Sequence, residues 1–159
     1  MTVSNFTLSD ICKKHRIKLN LTDIINKDQL VNVKPTKMKN MIINFAKVGE
    51  EGTHFVLFIL RGKNAFYMDS FGCYPLTEVT EYCKKHDLKL GFSNYIIQNM
   101  ASTNCGLYCL GALFYIGISG NMYDKANDYI NLYEDNTKLN DSILMKYLEF
   151  NGVDKEELI

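Results

Sequence analysis

The sequence predicts one domain, 1–159, in which helices surround a central group of strands. Three observations carry this reading. The chain has 159 residues, enough to bury one real core and too few for two comfortable ones. Segments 39–49, 53–62 and 64–70 are rich in β-branched and aromatic residues and bounded by glycines, as strands are. Apolar residues recur at helical spacing on either side of them. Hydrophobic residues make up 47% and charged residues 23%, which excludes a disordered or fibrous chain.

Taken in order, "TLSDICKKH" offers Ser9 or Thr7 as a cap and Leu8, Ile11 and Cys12 on one face, predicting a short first helix. "LTDII" reads as a second helical turn, and "KDQLVNVKP" as a loop ending at Pro35, which cannot continue a helix. The strands 39–49 and 53–62 are continuously hydrophobic, so the sheet is expected to be covered on both faces. A helix follows over 75–87, where Leu76, Val79 and Cys83 share a face, with Pro75 at its start and lysines at its end. A strand at 89–97, a buried helix "CGLYCLGALFYIGI" and two helices at 122–134 and 139–150 complete the chain.

Charge narrows the function classes. The 18 basic and 18 acidic side chains cancel, so no overall field draws the chain to nucleic acid or an anionic membrane. "KKHRIK" (13–18) and "KPTKMK" (34–39) are small basic clusters, and any DNA contact would be confined to them. The N-terminus lacks a signal peptide pattern and no apolar run is long enough to span a bilayer, so an intracellular protein without membrane contact is expected. Five cysteines, an odd number, imply no disulfide framework.

The chemistry begins at a hairpin. If Gly62 and Lys63 form a two-residue loop, Arg61 faces Asn64 and Val56 faces Asp69. His54 and Val56 share a face, so His54 and Asp69 become diagonal neighbours, about 7–8 Å apart at the backbone and within side-chain reach. A slip of one residue would send them to opposite faces.

Cys105 falls at the first turn of the buried helix. Unpaired N–H groups and the positive end of the helix dipole stabilise a thiolate there. Gly106 presents no side chain and would let another chain approach. Seven residues before Cys105, Gln98 can supply an amide donor to an oxyanion beside the Cys105 N–H. Cys12 and Cys109 sit inside apolar helical patterns and read as inert. A metal site built from Cys73, Cys83, His86, Cys105 and Cys109 fails on spacing, so no metal or other cofactor is expected.

"GTHFVLFILRGKNAFYMDSFG" followed by "IIQNMASTNCGLYCLGALFY" resembles the adenovirus-type, adenain-like cysteine proteases of DNA viruses, virophages and Maverick/Polinton elements. "INKDQL" (25–30) is similar to a stretch in the Polinton and virophage members. The resemblance implies an α+β, adenain/Ulp-like fold, with a central, mostly antiparallel sheet flanked by helices and the nucleophile at the start of a buried helix. It implies His54 as base, Asp69 as acid, Gln98 in the oxyanion hole and Cys105 as nucleophile. It also implies cleavage of viral capsid or core precursors at glycine-containing sites, in the cytoplasm or virus factory of an infected cell and in the virion. Phe55 stands where the family commonly has tryptophan, and with Phe71 and Gly106 it would form a narrow substrate groove. Adenovirus enzymes are boosted by DNA and by a peptide disulfide-linked to a cysteine between acid and glutamine. Neither Cys73 nor Cys83 matches that cysteine, so these activators are not carried over. Two other readings use the same features: a deconjugating protease for a ubiquitin-like modifier, and an inactive capsid-binding or scaffolding module.

Overall fold

A computed structural model describes residues 3–19, 22–50 and 54–158. In chain order the elements are α1 (Asn5–Lys14), α2 (Arg16–Leu19), β1 (Thr22–Asn26), a 3₁₀ turn (Lys27–Asn32), β2 (Met38–Asn44), β3 (Phe55–Arg61) and β4 (Asn64–Met68). They continue with α3 (Thr77–Lys85), β5 (Lys89–Ser93), α4 (Cys105–Ile116), α5 (Met122–Ile130) and α6 (Asn140–Phe150). The five strands form one sheet in sequence order. Its two central pairings, β2 with β3 and β3 with β4, are antiparallel. Both edge strands run parallel to their neighbours, so a mixed sheet stands where a mostly antiparallel one was expected. The β4–β5 connection accounts for its edge: a parallel neighbour needs a crossover, and α3 provides it.

Three local expectations are corrected. The first helix is capped by Ser4, whose Oγ accepts the Thr7 N–H at 3.1 Å, rather than by Thr7 or Ser9. "LTDII" is not a helical turn: within its described part, Thr22 to Ile25 pair in register with Asn40 to Ile43, and β-branched side chains favour that extended backbone. The loop expected over 27–35 contains the 3₁₀ turn, closed by the Gln29 Oε1 acceptor for the Asn26 N–H at 2.8 Å. Thr53, expected in the second strand, and Leu21 lie outside the described residues.

The continuous apolar run of β3 is explained by layers on both faces. Phe55, Leu57 and Ile59 point into the core under α4, together with Leu107, Leu110 and Leu113. Val56, Phe58 and Leu60 point into a second core under α3, with Val79, Tyr82 and Cys83. Alternation along one strand thus feeds two apolar layers. The hairpin between β3 and β4 has the expected register, Arg61 opposite Asn64 through Leu57 opposite Met68. Gly62 takes φ +61° at its turn, which suits the first position of a type II′ loop.

The space above Gly106 belongs to the protein itself. A Cβ there would lie 2.9 Å from Val3 Cγ2, 3.0 Å from Leu8 Cδ1 and 3.3 Å from Phe55 Cδ2. Gly106 therefore lets α1 and β3 pack against the start of α4, which corrects the expectation that it admits a substrate. Gly106→Ala is expected to lower stability by about 1–3 kcal/mol, the usual cost of overpacking a core. Chemical denaturation checks this; a variant as stable as the parent would show that α1 yields freely.

Candidate active site

Asp69 is the first residue after β4 and opens a turn closed by the Gly72 N–H donating to the Asp69 carbonyl at 2.8 Å. Asp at the first position and Gly at the fourth is a favoured pattern for such a turn. Gly72 has φ +73°, and a Cβ there would come within 2.7 Å of the Asn94 carbonyl oxygen, so a side chain would be strained on both counts. The turn directs the Asp69 carboxylate inward. Its Oδ1 accepts the Phe71 N–H at 2.8 Å and lies 2.9 Å from His54 Nε2.

His54 sits just before β3, at the same end of the sheet. Its ring is held between two phenyl groups: Phe71 stacks on it at 5.2 Å between centroids, and Phe45 meets it edge-on at 4.8 Å. Phe45 was not anticipated. Its place follows from the short end of β2, where the Asn44 Oδ1 accepts the Ala46 N–H at 2.9 Å and turns the chain. With Nε2 directed at Asp69, Nδ1 is the nitrogen left over, and Cys105 lies close enough to bear on the charge of the imidazole. Burial works against the imidazolium, but the hydrogen bond and charge of Asp69, with the Cys105 side chain beside it, outweigh it, raising the pKa from 6.5 to about 9.

Cys105 is the first residue of α4, as expected, and is 3% exposed. The other thiols are poor nucleophiles. Burial pushes Cys12 up to about 12, Cys83 up to about 11 and the fully buried Cys109 well above 9. Cys73 is exposed, and partial burial and the nearby Asp69 carboxylate push its thiol up as well. A thiol held protonated is inert.

Gln98 is almost wholly buried, and its amide has one defined orientation. Ser70 Oγ donates to its Oε1 at 2.5 Å, while its Nε2 donates to the Ser102 carbonyl at 3.0 Å and to Ser102 Oγ at 3.3 Å. Ser70 also anchors the backbone, since its carbonyl accepts the N–H groups of Ile97 and Gln98. The acid's turn and the glutamine's loop are thus joined through one serine.

The structure separates the three expected groove residues. Phe71 is partly exposed and covers the imidazole. Phe55 is 2% exposed and packs into the core beside Gly106, because the strand alternation turns it to the α4 face, away from His54. Phe55 nonetheless forms part of the wall of a cavity shared with Asn5, Ile24 and Asn44, while Phe71 lies against the imidazole. The assembled groups bring a thiol at a helix start near an imidazole–carboxylate pair, an arrangement that suits addition of sulfur to a carbonyl.

No family model matches the chain, and no curated protein matches it. Among solved structures, a crystal structure of ASFV pS273R protease aligns over 99% of this chain with TM-score 0.52 and 16% identity. A selenomethionine structure of the same protease aligns over 99% with TM-score 0.53 and 14% identity. The chain spans 64% and 65% of the lengths of the chains in those two structures. The likeness is one of fold: this chain has the α+β, adenain/Ulp-like architecture, with helices on both faces of a five-stranded mixed sheet.

Proposed function

We propose that this protein is a viral cysteine endopeptidase that matures capsid or core precursors, with Cys105 as nucleophile, His54 as base and acid, Asp69 as its orienting carboxylate and Gln98 in the oxyanion hole. The observation that carries the reading is the meeting of the His54–Asp69 pair with a thiol at the first turn of α4. The fold shared with the ASFV pS273R protease supports it. The resemblance of "DSFG" and "NCGLYCL" to adenain-like proteases, virophage and Maverick/Polinton members among them, also supports it.

In this mechanism His54 takes the Cys105 proton as the sulfur adds to the scissile carbonyl. The oxyanion takes hydrogen bonds from the Cys105 N–H and from the Gln98 amide, which gives up one of its two bonds to Ser102 to make it. His54 then protonates the leaving amine as the C–N bond breaks, leaving a thioester on Cys105. Water, deprotonated by His54, adds to the thioester carbon; the C–S bond breaks and the thiol is restored. The products are a carboxylic acid and an amine. The site of action is the infected cell's cytoplasm or virus factory, and the virion.

Specificity should favour glycine on the acyl side. Phe71 lies over the imidazole, and a residue without a side chain can pass it and reach backbone conformations closed to others. Incubation with an unbiased peptide library, read by mass spectrometry, should give cuts enriched after or beside glycine. Cuts clustered after lysine or arginine would overturn this specificity. Release of intact ubiquitin-like modifiers from conjugates, with no cutting of the library, would favour the deconjugating reading instead.

A further inference from the structure

The first turn of α6 reaches back to the segment that joins Gln98 to Cys105. Asp141 Oδ1 accepts the Ser102 hydroxyl at 2.9 Å and the Tyr108 hydroxyl at 2.8 Å, and its Oδ2 accepts the Asn104 Nδ2 amide at 3.1 Å. Among the described residues no cation lies within ion-pair distance of it, so three neutral donors from one segment hold the carboxylate in place. Hydrogen bonds to a charged acceptor are stronger than neutral ones.

Each of these donors bears on the site. Ser102 Oγ also accepts from Gln98 Nε2 and from the Asn104 N–H, so its single proton must go elsewhere, and Asp141 takes it. This fixes the hydroxyl as an acceptor toward Gln98. Asn104 precedes α4 and is of a type that ordinarily caps a helix with its side-chain oxygen. Here it makes no side-chain cap bond, and its amide donates to Asp141 instead. The bond ties the residue just before Cys105 to α6, and so fixes the backbone that leads into the Cys105 N–H. Tyr108, one turn into α4, ties the same carboxylate to the helix itself.

We infer that Asp141 is a positioning residue of the oxyanion site: through Ser102 it fixes the orientation of the Gln98 amide, and through Asn104 and Tyr108 it holds the first turn of α4, which carries the Cys105 N–H. The inference rests on the proposed hydrolytic role of Cys105. Without the carboxylate, the Ser102 hydroxyl and the Asn104 side chain can reorient. Both changes loosen the placement of the oxyanion donors while leaving the thiol in place.

The test uses p-nitrophenyl acetate, an acyl donor that makes no demand on specificity, and iodoacetamide, whose displacement by the thiolate involves no oxyanion. Asp141→Ala is expected to lower kcat by ~10–10²-fold, below the 10²–10³-fold lost when an oxyanion donor is removed outright. KM and the pH profile of Cys105 alkylation should change far less. Asp141→Asn keeps an acceptor for Ser102 and Tyr108 but can turn an NH₂ toward Asn104, so it should fold and fall between the two. In a Gln98→Ala background the Asp141 substitution should cost distinctly less than it does alone, because the two act on the same donor. Full hydrolysis by both Asp141 variants would overturn the inference, as would losses that simply multiply or alkylation that falls in step with hydrolysis. If the unaltered protein is alkylated at Cys105 yet hydrolyses neither the ester nor any peptide, the hydrolase reading itself fails, and the role of Asp141 with it.

Discussion

Cys105→Ala should abolish peptide cleavage, with a loss of at least ~10⁴-fold, on the scale seen when a catalytic nucleophile is removed. The fold should survive, because only one sulfur is lost from a position at a helix start and the smaller side chain is a good helix former. Cys109→Ala should show the opposite balance. Cys109 is 0% exposed within α4, so its truncation opens space in the core and lowers stability, while its protonated thiol contributes nothing to the reaction. Cys73→Ser should keep most activity. Turnover measured beside thermal unfolding for all three variants separates these effects. A folded Cys73→Ser as inactive as Cys105→Ala would overturn the assignment of the nucleophile.

His54→Ala should cost ~10²–10⁴-fold in kcat/KM, the range for loss of a general acid–base group. Asp69→Asn should cost less. An asparagine oxygen can still accept from the ring and from the Phe71 N–H, and Cys–His–Asn arrangements are themselves competent. What asparagine removes is the negative charge. With His54 raised to about 9, activity that needs the imidazolium should hold through neutral pH and decline as pH rises through about 9. In Asp69→Asn that alkaline limb should move down, since burial would then act against the imidazolium with less opposition. Stability follows the same sign. The folded pKa of His54 lies above its unfolded value, so its contribution is complete below about 6.5 and is lost as pH climbs from there through about 9. A pH–rate profile for the two folded proteins decides the matter: an unmoved limb, or a greater loss in Asp69→Asn than in His54→Ala, would remove Asp69 from its orienting role.

The parts of the site legible in the sequence were those governed by local geometry. His54 and Asp69 belong to one hairpin, and the two-residue periodicity of its strands, once Gly62 is taken as the turn, leaves only one parity that brings them together. Cys105 was legible because an apolar helical pattern begins at it. The packing of Gly106 and the burial of Phe55 were not legible for a different reason. Which face of β3 receives which layer depends on α1 and α4 folding onto it, and that contact is between segments far apart in the chain. Strand β1 was missed because five residues carry little periodicity, and its partner β2 stabilises it from outside. Asp141 lay beyond reach for the same cause: an acid in the first turn of a helix is ordinary, and its bonds run 33 to 39 residues back along the chain.

The two phenyl rings that enclose His54 bear on the entropy of activation. A histidine at a strand end would ordinarily sample several rotamers, and each must be abandoned before a proton can move along a defined line. Phe71 against one face and Phe45 at the edge leave the imidazole little room to turn, and Asp69 selects which nitrogen looks inward. That freedom is surrendered when the chain folds, so it does not have to be surrendered again in each turnover, and the barrier to attack is lower by the ordering already done.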